Sequence, residues 1–328
     1  MKEKELEVLE LYDIDVKSTR KIRGAILCET KQGPFILKEM QFSEKRIPAL
    51  YELYQHIQGQ GYGTIDMIEK NKEGALLTTS EEGTKYLLKR WFRGRECDNK
   101  REPDILEGVQ NLALLHRIMK QPLVLGTSRE NLQEEFLRHN REMKKVRTFI
   151  RNKVGKGEFE LVFLGHFDAM YQWAEAAYAC LENSEYHKLA KQSEKEGAIA
   201  HGDYNYHNVL ITSEGIATTN FEHFYCGIQL TDFYYFLRKT MEKNQWNVHL
   251  GHKMLECYNR ILPRSDAELE YISICIAYPE KFWKAANSYY RSRKAWISGK
   301  SLEKLEMAIR QTEEKKKFLE ELFCFRLS

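Results

Sequence analysis

Between Val16 and about Arg90, short apolar runs alternate with polar turns. They are KIRGAILCET, the turn KQGP, FILKEM, and then GALLTTSEEGTKYLLKRW, which reads as two strands joined by a Ser-Glu-Glu-Gly turn. From Glu44 to Gln58 the period changes, with Ile47, Leu50, Tyr51, Tyr54 and Ile57 at helical spacing. The pattern predicts a β-rich unit with one inserted helix. Past Gly94 long amphipathic helices take over, beginning with DILEGVQNLALLHRIM, whose Ile105, Val109, Leu112 and Leu115 form one stripe. A charged helix is expected from about Glu130 to Lys153, another from Asp168 to about Leu181, and roughly four more from Asn247 onward. One β interruption breaks the helical part, IAHGDYNYHNVLITSEGIATTNFEHF, in which NVLIT and IATTNF are strand-like around the turn Ser213-Glu214-Gly215.

No repeat or low-complexity run appears, and six prolines leave no Pro-rich linker between independent domains. The expectation is therefore an α+β chain of two tightly joined lobes, residues 1–90 forming a β-rich N-terminal lobe and 91–328 a helical C-terminal lobe that carries the segment 199–224. A content of 42% hydrophobic and 12% aromatic residues can fill a core of that size. The net charge of +3 is small against 51 basic and 48 acidic residues, so no long-range field calls for a polyanionic partner, and nucleic acid is not expected. Seven cysteines, odd in number and never in a CxxC spacing, argue against a disulfide framework and a zinc knuckle and for a reducing compartment. The N-terminal MKEKELEVLELYDIDV lacks the apolar stretch of a signal peptide, and no run approaches the ~18 apolar residues of a membrane span. Cytoplasmic synthesis is expected.

The β interruption carries the candidate chemistry. A loop leading into a tight hairpin can hold side chains rigidly while its tip meets solvent. Phosphoryl transfer to a hydroxyl needs a carboxylate near the nucleophile, oxygen ligands for Mg²⁺ and a cation on the phosphates. In His201-Gly202-Asp203, the Asp203 carboxylate can orient a hydroxyl, and five residues on Asn208 offers an amide oxygen to a metal beside it. The run His201 to Asn208 is similar to the HGDxxxxN catalytic-loop signature of aminoglycoside phosphotransferases and choline kinases. An isolated HGD triplet would read as a hydrogen-bonded loop pin, but the surrounding pattern supplies context. A kinase-like site implies an acidic metal ligand about a dozen residues past the Asn, and Asn220-Phe221-Glu222 stands there. In the family pattern the first of these is Asp; here it is Asn220. If the strand extends that far, side chains 220 and 222 share a face, and Glu222 becomes a second metal candidate.

The phosphate-binding cation is expected from a strand of the first lobe. In FILKEM, Lys38 alternates onto the face of Ile36 and Met40, where a merely solubilising lysine would not sit. Glu52 and Glu44 are both open as its carboxylate partner. The turn VKSTRKIRGA has the single Gly24 and no GxGxxG, so no amide cradle for phosphate is evident.

Further along, Asp232 to Lys239 and on to Trp246, DFYYFLRKTMEKNQW, resembles the D-x-Y-x-F-L-R-K-x-M-E-K-x-x-W stretch of the CotS family of spore coat proteins. KRWFRGREC, LALLHR and YPEKFWKAANSYY are further echoes in the same order. The resemblance implies a two-lobed, protein-kinase-like fold of the aminoglycoside phosphotransferase type. It also implies a spore coat protein, a structural or assembly component whose partners are other spore coat proteins. Phosphotransfer is expected to be weak or absent because Asn220 replaces a carboxylate, leaving ATP and Mg²⁺ as cofactors of doubtful affinity. The alternative is an active ATP-dependent phosphotransferase acting on a small-molecule, saccharide or protein hydroxyl. An antibiotic-modifying kinase is a third reading, but no acidic aminocyclitol pocket is evident. The aromatic run Phe233 to Phe236 reads as core packing, and His116 as a hydrogen-bonded core histidine. The basic residues from Arg138 to Arg151, interleaved with Glu134, Glu135 and Glu142, read as a solvated helix face.

Overall fold

The computed structural model describes residues 3–120, 131–292 and 299–326. Helix α1 (Glu3–Glu10) precedes strands β1 (Val16–Ile22), β2 (Ala25–Thr30) and β3 (Gly33–Glu39). Helix α2 (Ile47–Gly59) follows a single 3-10 turn at Glu44–Arg46, and then come β4 (Thr78–Thr79), β5 (Lys85–Arg90), β6 (Gly94–Glu96) and α3 (Glu102–Ile118). Next are α4 (Leu132–Asn152), α5 (Glu158–Asn183) and α6 (Tyr186–Lys195). The interruption supplies β7 (Ile199–Ala200), β8 (Val209–Thr212), β9 (Gly215–Thr218) and β10 (Tyr225–Cys226). The described residues that follow form six helices: α7 (Leu230–Met241), α8 (Val248–Asn259), α9 (Asp266–Ala277), α10 (Glu280–Arg291), α11 (Gly299–Arg310) and α12 (Thr312–Phe323). Among the described residues no helix is long and apolar enough to cross a membrane.

The chain divides into two compact units, 1–127 with 197–232, and 128–196 with 233–328. The segment that leads through the HGD loop thus clusters with the N-terminal sheet, while β5, the last long strand of that sheet, ends at Arg90.

In the first unit the antiparallel order is β1-β2-β3-β5-β4. Alternation sends Ile26, Cys28, Phe35, Leu37, Tyr86 and Leu88 to one face, where Val8, Leu9 and Tyr12 from α1 and its following turn pack on them. The opposite face carries Leu27, Ile36, Lys38, Leu87 and Lys89, since Ile36 pairs with Lys89 and Lys38 with Leu87. Two lysines on adjacent strands therefore point the same way. Helix α2 has Pro48 in its first turn and buries Ile47, Leu50, Leu53, Tyr54 and Ile57, while Glu52 stays exposed. Helix α3 has Pro103 in its first turn with Glu102 and Asp104, acidic residues that suit a helix N-terminus.

In the second unit α4 is capped by the Asn131 side chain, which accepts from Gln133 N–H. The expected start of this helix at Glu130 lies outside the described residues. Helix α5 begins ten residues before the expected Asp168, because Glu160 reaches back to accept from the Gly157 N–H at 3.0 Å and opens the helix there. Among the described residues five helices follow Asn247, against the roughly four expected. The bases of α4 pair with carboxylates: Arg138 lies 3.7 Å from Glu142 and Arg147 2.8 Å from Asp168. Phe233 and Phe236 are fully buried.

Candidate functional site

Between β7 and β8 the chain makes a tight loop that Asp232 anchors. Its carboxylate accepts from the backbone N–H groups of His201 (2.6 Å) and Gly202 (2.9 Å) and contacts His116 Nε2 at 3.2 Å. Burial opposes its ionisation, but donation from His116 and the Gly202 amide holds the Asp232 carboxyl below the usual range. His201 is buried, and its Nδ1 accepts from the Asp203 N–H at 3.1 Å, which leaves Nε2 to donate to the Thr219 carbonyl at 3.0 Å. Burial lowers its pKa against the pull of Asp232, so the ring is neutral. Gly202 has φ +82°, and a Cβ there would meet the His223 carbonyl oxygen at 2.1 Å. Glycine is required on both counts. Tyr204 donates to the Gly108 carbonyl at 2.7 Å, fixing the loop on α3.

From this base one hydrogen-bonded chain links the candidate residues. Lys38 Nζ donates to Asn220 Oδ1 at 2.9 Å. Asn220 Nδ2 donates to Asn208 Oδ1 at 2.7 Å. Asn208 Nδ2 donates to the Asp203 carboxylate at 2.9 Å, and Asn205 Nδ2 does the same at 2.9 Å. An ammonium can only donate and a carboxylate only accept, so the orientation of both amides is dictated from the two ends.

The same lysine reaches Glu222 Oε1 at 3.1 Å. Glu222 does not share a strand face with Asn220, contrary to expectation: β9 stops at Thr218, Asn220 takes a left-handed conformation (φ 65°) and residues 221–223 form a 3-10 turn. Asn tolerates that conformation because its short polar side chain bonds locally. The turn tips Glu222 inward onto Lys89, whose Nζ lies 2.7 Å from Glu222, 3.0 Å from Asp66 and 3.3 Å from the Tyr54 hydroxyl. Asp66 in turn accepts from Tyr54 at 2.8 Å and from the Asn220 N–H at 2.9 Å. Lys89 and Asp66 are fully buried and Glu222 nearly so. Burial and the neighbouring Glu222 charge push Asp66 up against the pull of Lys89, whereas Lys89 and Lys38 together outweigh burial at Glu222 and hold it well below the carboxylate range. Neither proposed glutamate partner meets Lys38, since Glu44 pairs with Lys85 and Glu52 is exposed.

Lys38, Asn208 and Asn220 line a cleft of about 770 Å³, with Ala25, Leu27, Ile36 and Leu210 among its apolar walls. At its rim Arg23 lies 2.9 Å from both Glu96 and His207. Sequence reasoning missed Lys89, Asp66, Arg23 and Glu96. Alternation within KYLLKR was the available signal for Lys89; the others carry none.

The donor set can be tested against Mg²⁺, a hard cation that favours carboxylate and water oxygens in octahedral geometry. Here an N–H lies between the oxygens that residues 208 and 220 would offer, and the Lys38 ammonium covers Asn220 Oδ1. Glu222 is committed to two ammonium groups. As arranged, these residues do not make a Mg²⁺ site.

Among solved structures, the chain is similar to an aminoglycoside phosphotransferase from Alicyclobacillus acidocaldarius, with a TM-score of 0.86, 17% identity, and coverage of 97% of this chain and 94% of that one. It is also similar to an AMP-bound spectinomycin phosphotransferase, with a TM-score of 0.66, 12% identity, and coverage of 98% and 97%. A choline kinase from Streptococcus pneumoniae matches with a TM-score of 0.51, 12% identity, and coverage of 94% and 96%. At these identities the likeness establishes the fold, that of aminoglycoside phosphotransferases and choline kinases, and nothing further. Among curated relatives, spore coat protein S of Bacillus subtilis (strain 168) is 21% identical over 327 residues, covering 96% of this chain and 93% of that protein. A family model described as "Spore coat putative kinase YutH" matches residues 5–322.

Proposed function

The chain belongs to the spore coat putative kinase YutH family, and from that premise we propose that it is a spore coat component whose kinase-type fold serves as an assembly scaffold, with phosphotransfer weak or absent. The observation that carries this reading is the Asn220 amide. Its N–H, 2.7 Å from Asn208 Oδ1, joins two oxygen-bearing positions that in a metal-dependent site would be joined by the cation. A carboxylate at 220 would have no proton to give Asn208 and would bring a full negative charge. The amide satisfies the contact without metal and supplies no charge to attract one.

In this reading the protein is made in the cytoplasm, reaches the coat without crossing a membrane and meets other coat proteins there; the printed name of its curated relative, a spore coat protein, supports the coat as its destination. The Lys38-to-Asp203 chain acts as a strut between the sheet and the loop.

The second reading is an active phosphotransferase, favoured by the half-buried Asp203 carboxylate, which the hydrogen-bonded chain through Asn208 and Asn220 links to Lys38. Calorimetric titration with Mg·ATP, together with an ATP-consumption assay, separates the two. The native protein is expected to bind weakly without turnover, and Asn220→Asp to gain roughly tenfold or more in Mg·ATP affinity, as one added charge in a partly dry cleft allows. Tight Mg²⁺-dependent binding and turnover by the native protein, abolished in Asp203→Ala, would reverse the assignment.

A further inference from the structure

The β1–β2 hairpin closes over the cleft with a two-residue turn, Ile22 pairing with Ala25 around Arg23 and Gly24. Both turn residues have positive φ, 42° at Arg23 and 81° at Gly24. Asn, Asp or Gly suits the first position of such a turn; Arg, with a full side chain, is strained there. Strain retained at one position motivates a search for what the side chain does. Arg23 is 63% exposed, yet it reaches from the first hairpin to Glu96 on β6 and to His207 beside Asn208, with 2.9 Å to each. All three line the cleft that contains Lys38.

The other cations of this cleft differ in their freedom. Lys38 is held by Asn220 and Glu222, and Arg93 lies 2.8 Å from Glu29. Arg23 is held by a partly exposed ion pair with Glu96 and a contact with the half-exposed His207, and exposed contacts of this kind contribute little and exchange readily. A guanidinium binds phosphate oxygens through paired donors, and the hairpin has no glycine-rich amide cradle to do so in its place.

We propose that Arg23 is a phosphate-oxyanion-binding residue of the cleft, kept on Glu96 and His207 until a phosphate-bearing ligand free of metal takes their place. The proposal rests on the reading of the cleft as kinase-derived without a Mg²⁺ site. Glu96 competes with the ligand for the same guanidinium, so the rim contact sets the threshold for ligand binding. Arg20 on β1, also on the cleft wall, adds positive charge on the same hairpin.

The test is calorimetric titration of the full chain with ADP and, separately, with inorganic pyrophosphate, each in EDTA. Arg23→Asn suits the turn and does not endanger the fold, and Glu96→Gln frees the guanidinium while keeping the side-chain length. The native protein is expected to bind, Arg23→Asn to bind about threefold to tenfold more weakly, and Glu96→Gln about threefold more tightly, the range of a partly exposed charge contact. Pyrophosphate binding with this dependence identifies the bare oxyanion as sufficient; ADP binding alone with the same dependence identifies a nucleotide. Affinity unchanged or increased in Arg23→Asn, or no binding of either ligand by the native protein and Glu96→Gln, overturns the proposal. A requirement for added Mg²⁺ in the native protein would instead count against the metal-free reading of the site, a separate readout from the Arg23 dependence.

Discussion

His201 shows how one ring holds a loop together. Its two nitrogens serve opposite roles, accepting from Asp203 N–H and donating to the Thr219 carbonyl, and only the neutral ring can do both. Burial depresses its pKa below the ordinary value of about 6.5. The unfolded chain therefore takes up a proton as pH falls through about 6.5 while the folded chain resists it, so this contribution is full above that pH and declines below it. Thermal midpoints measured at steps from pH 7.5 to 5.5 are expected to fall for the native protein, by up to ~1.4 kcal/mol of stability per pH unit from this group. His201→Asn keeps an acceptor for the Asp203 amide but cannot titrate, and its curve is expected to be flatter in the same interval although lower overall. Parallel curves would show that His201 does not carry the acid dependence.

At the scale of elements, two strands and two loops meet on Lys89. The sheet register puts Lys38 and Lys89 on one face, and the 3-10 turn after Asn220 brings Glu222 to both. Removing the Lys89 ammonium leaves Asp66 and Glu222 buried without their shared counter-charge, a loss of about 3–5 kcal/mol. Lys89→Met is expected to show this in urea unfolding, and adding Asp66→Asn to return part of it, so that the two changes are far from additive. Additive losses would mean that the three charges are not coupled. β2, β3 and β5 were legible as short, nearly continuous apolar runs bounded by turns, and the helix cores of Ile47 to Ile57 and Ile105 to Leu115 by period 3.6; β1, VKSTRKI, has few apolar positions, and β4 is only Thr78–Thr79. The Lys89 cluster was legible only in part: alternation puts Lys89 on the face of Leu87, but a lysine near the end of a strand reads as solvent-facing without its partners, and Asp66, in the irregular stretch GTIDMI, has no periodicity to betray it. The HGD motif marked the loop, and Asn208 does lie against the Asp203 carboxylate. The turn at Asn220 was read as strand, since IATTNF alternates and nothing in its sequence announces a left-handed residue there.

For the molecule as a whole, the question is whether coat assembly needs the cleft chemistry or only the surface that the fold presents. Asp203→Ala removes a half-buried carboxylate, leaving Asn205 and Asn208 only the backbone carbonyl of residue 203 as their acceptor there, but it touches none of the exposed, mixed-sign residues that make up the exterior. With 51 basic and 48 acidic residues, the chain is close to neutral, so on the scaffold reading recognition by coat partners would rest on local complementarity of shape and charge and not on a long-range field. A scaffold would therefore assemble normally with a silent site. In a spore-forming host lacking its own copy, fluorescent fusions of the native chain and of Asp203→Ala are both expected to be made in the mother cell and to be recovered with the coat in equal amount. The mutant must first be shown to keep the native thermal midpoint to within a few degrees, so that loss of fold is not mistaken for loss of function. If a stably folded Asp203→Ala fusion stays in the mother-cell cytoplasm while the native fusion reaches the coat, then the carboxylate acts during assembly, and the active phosphotransferase becomes the better account.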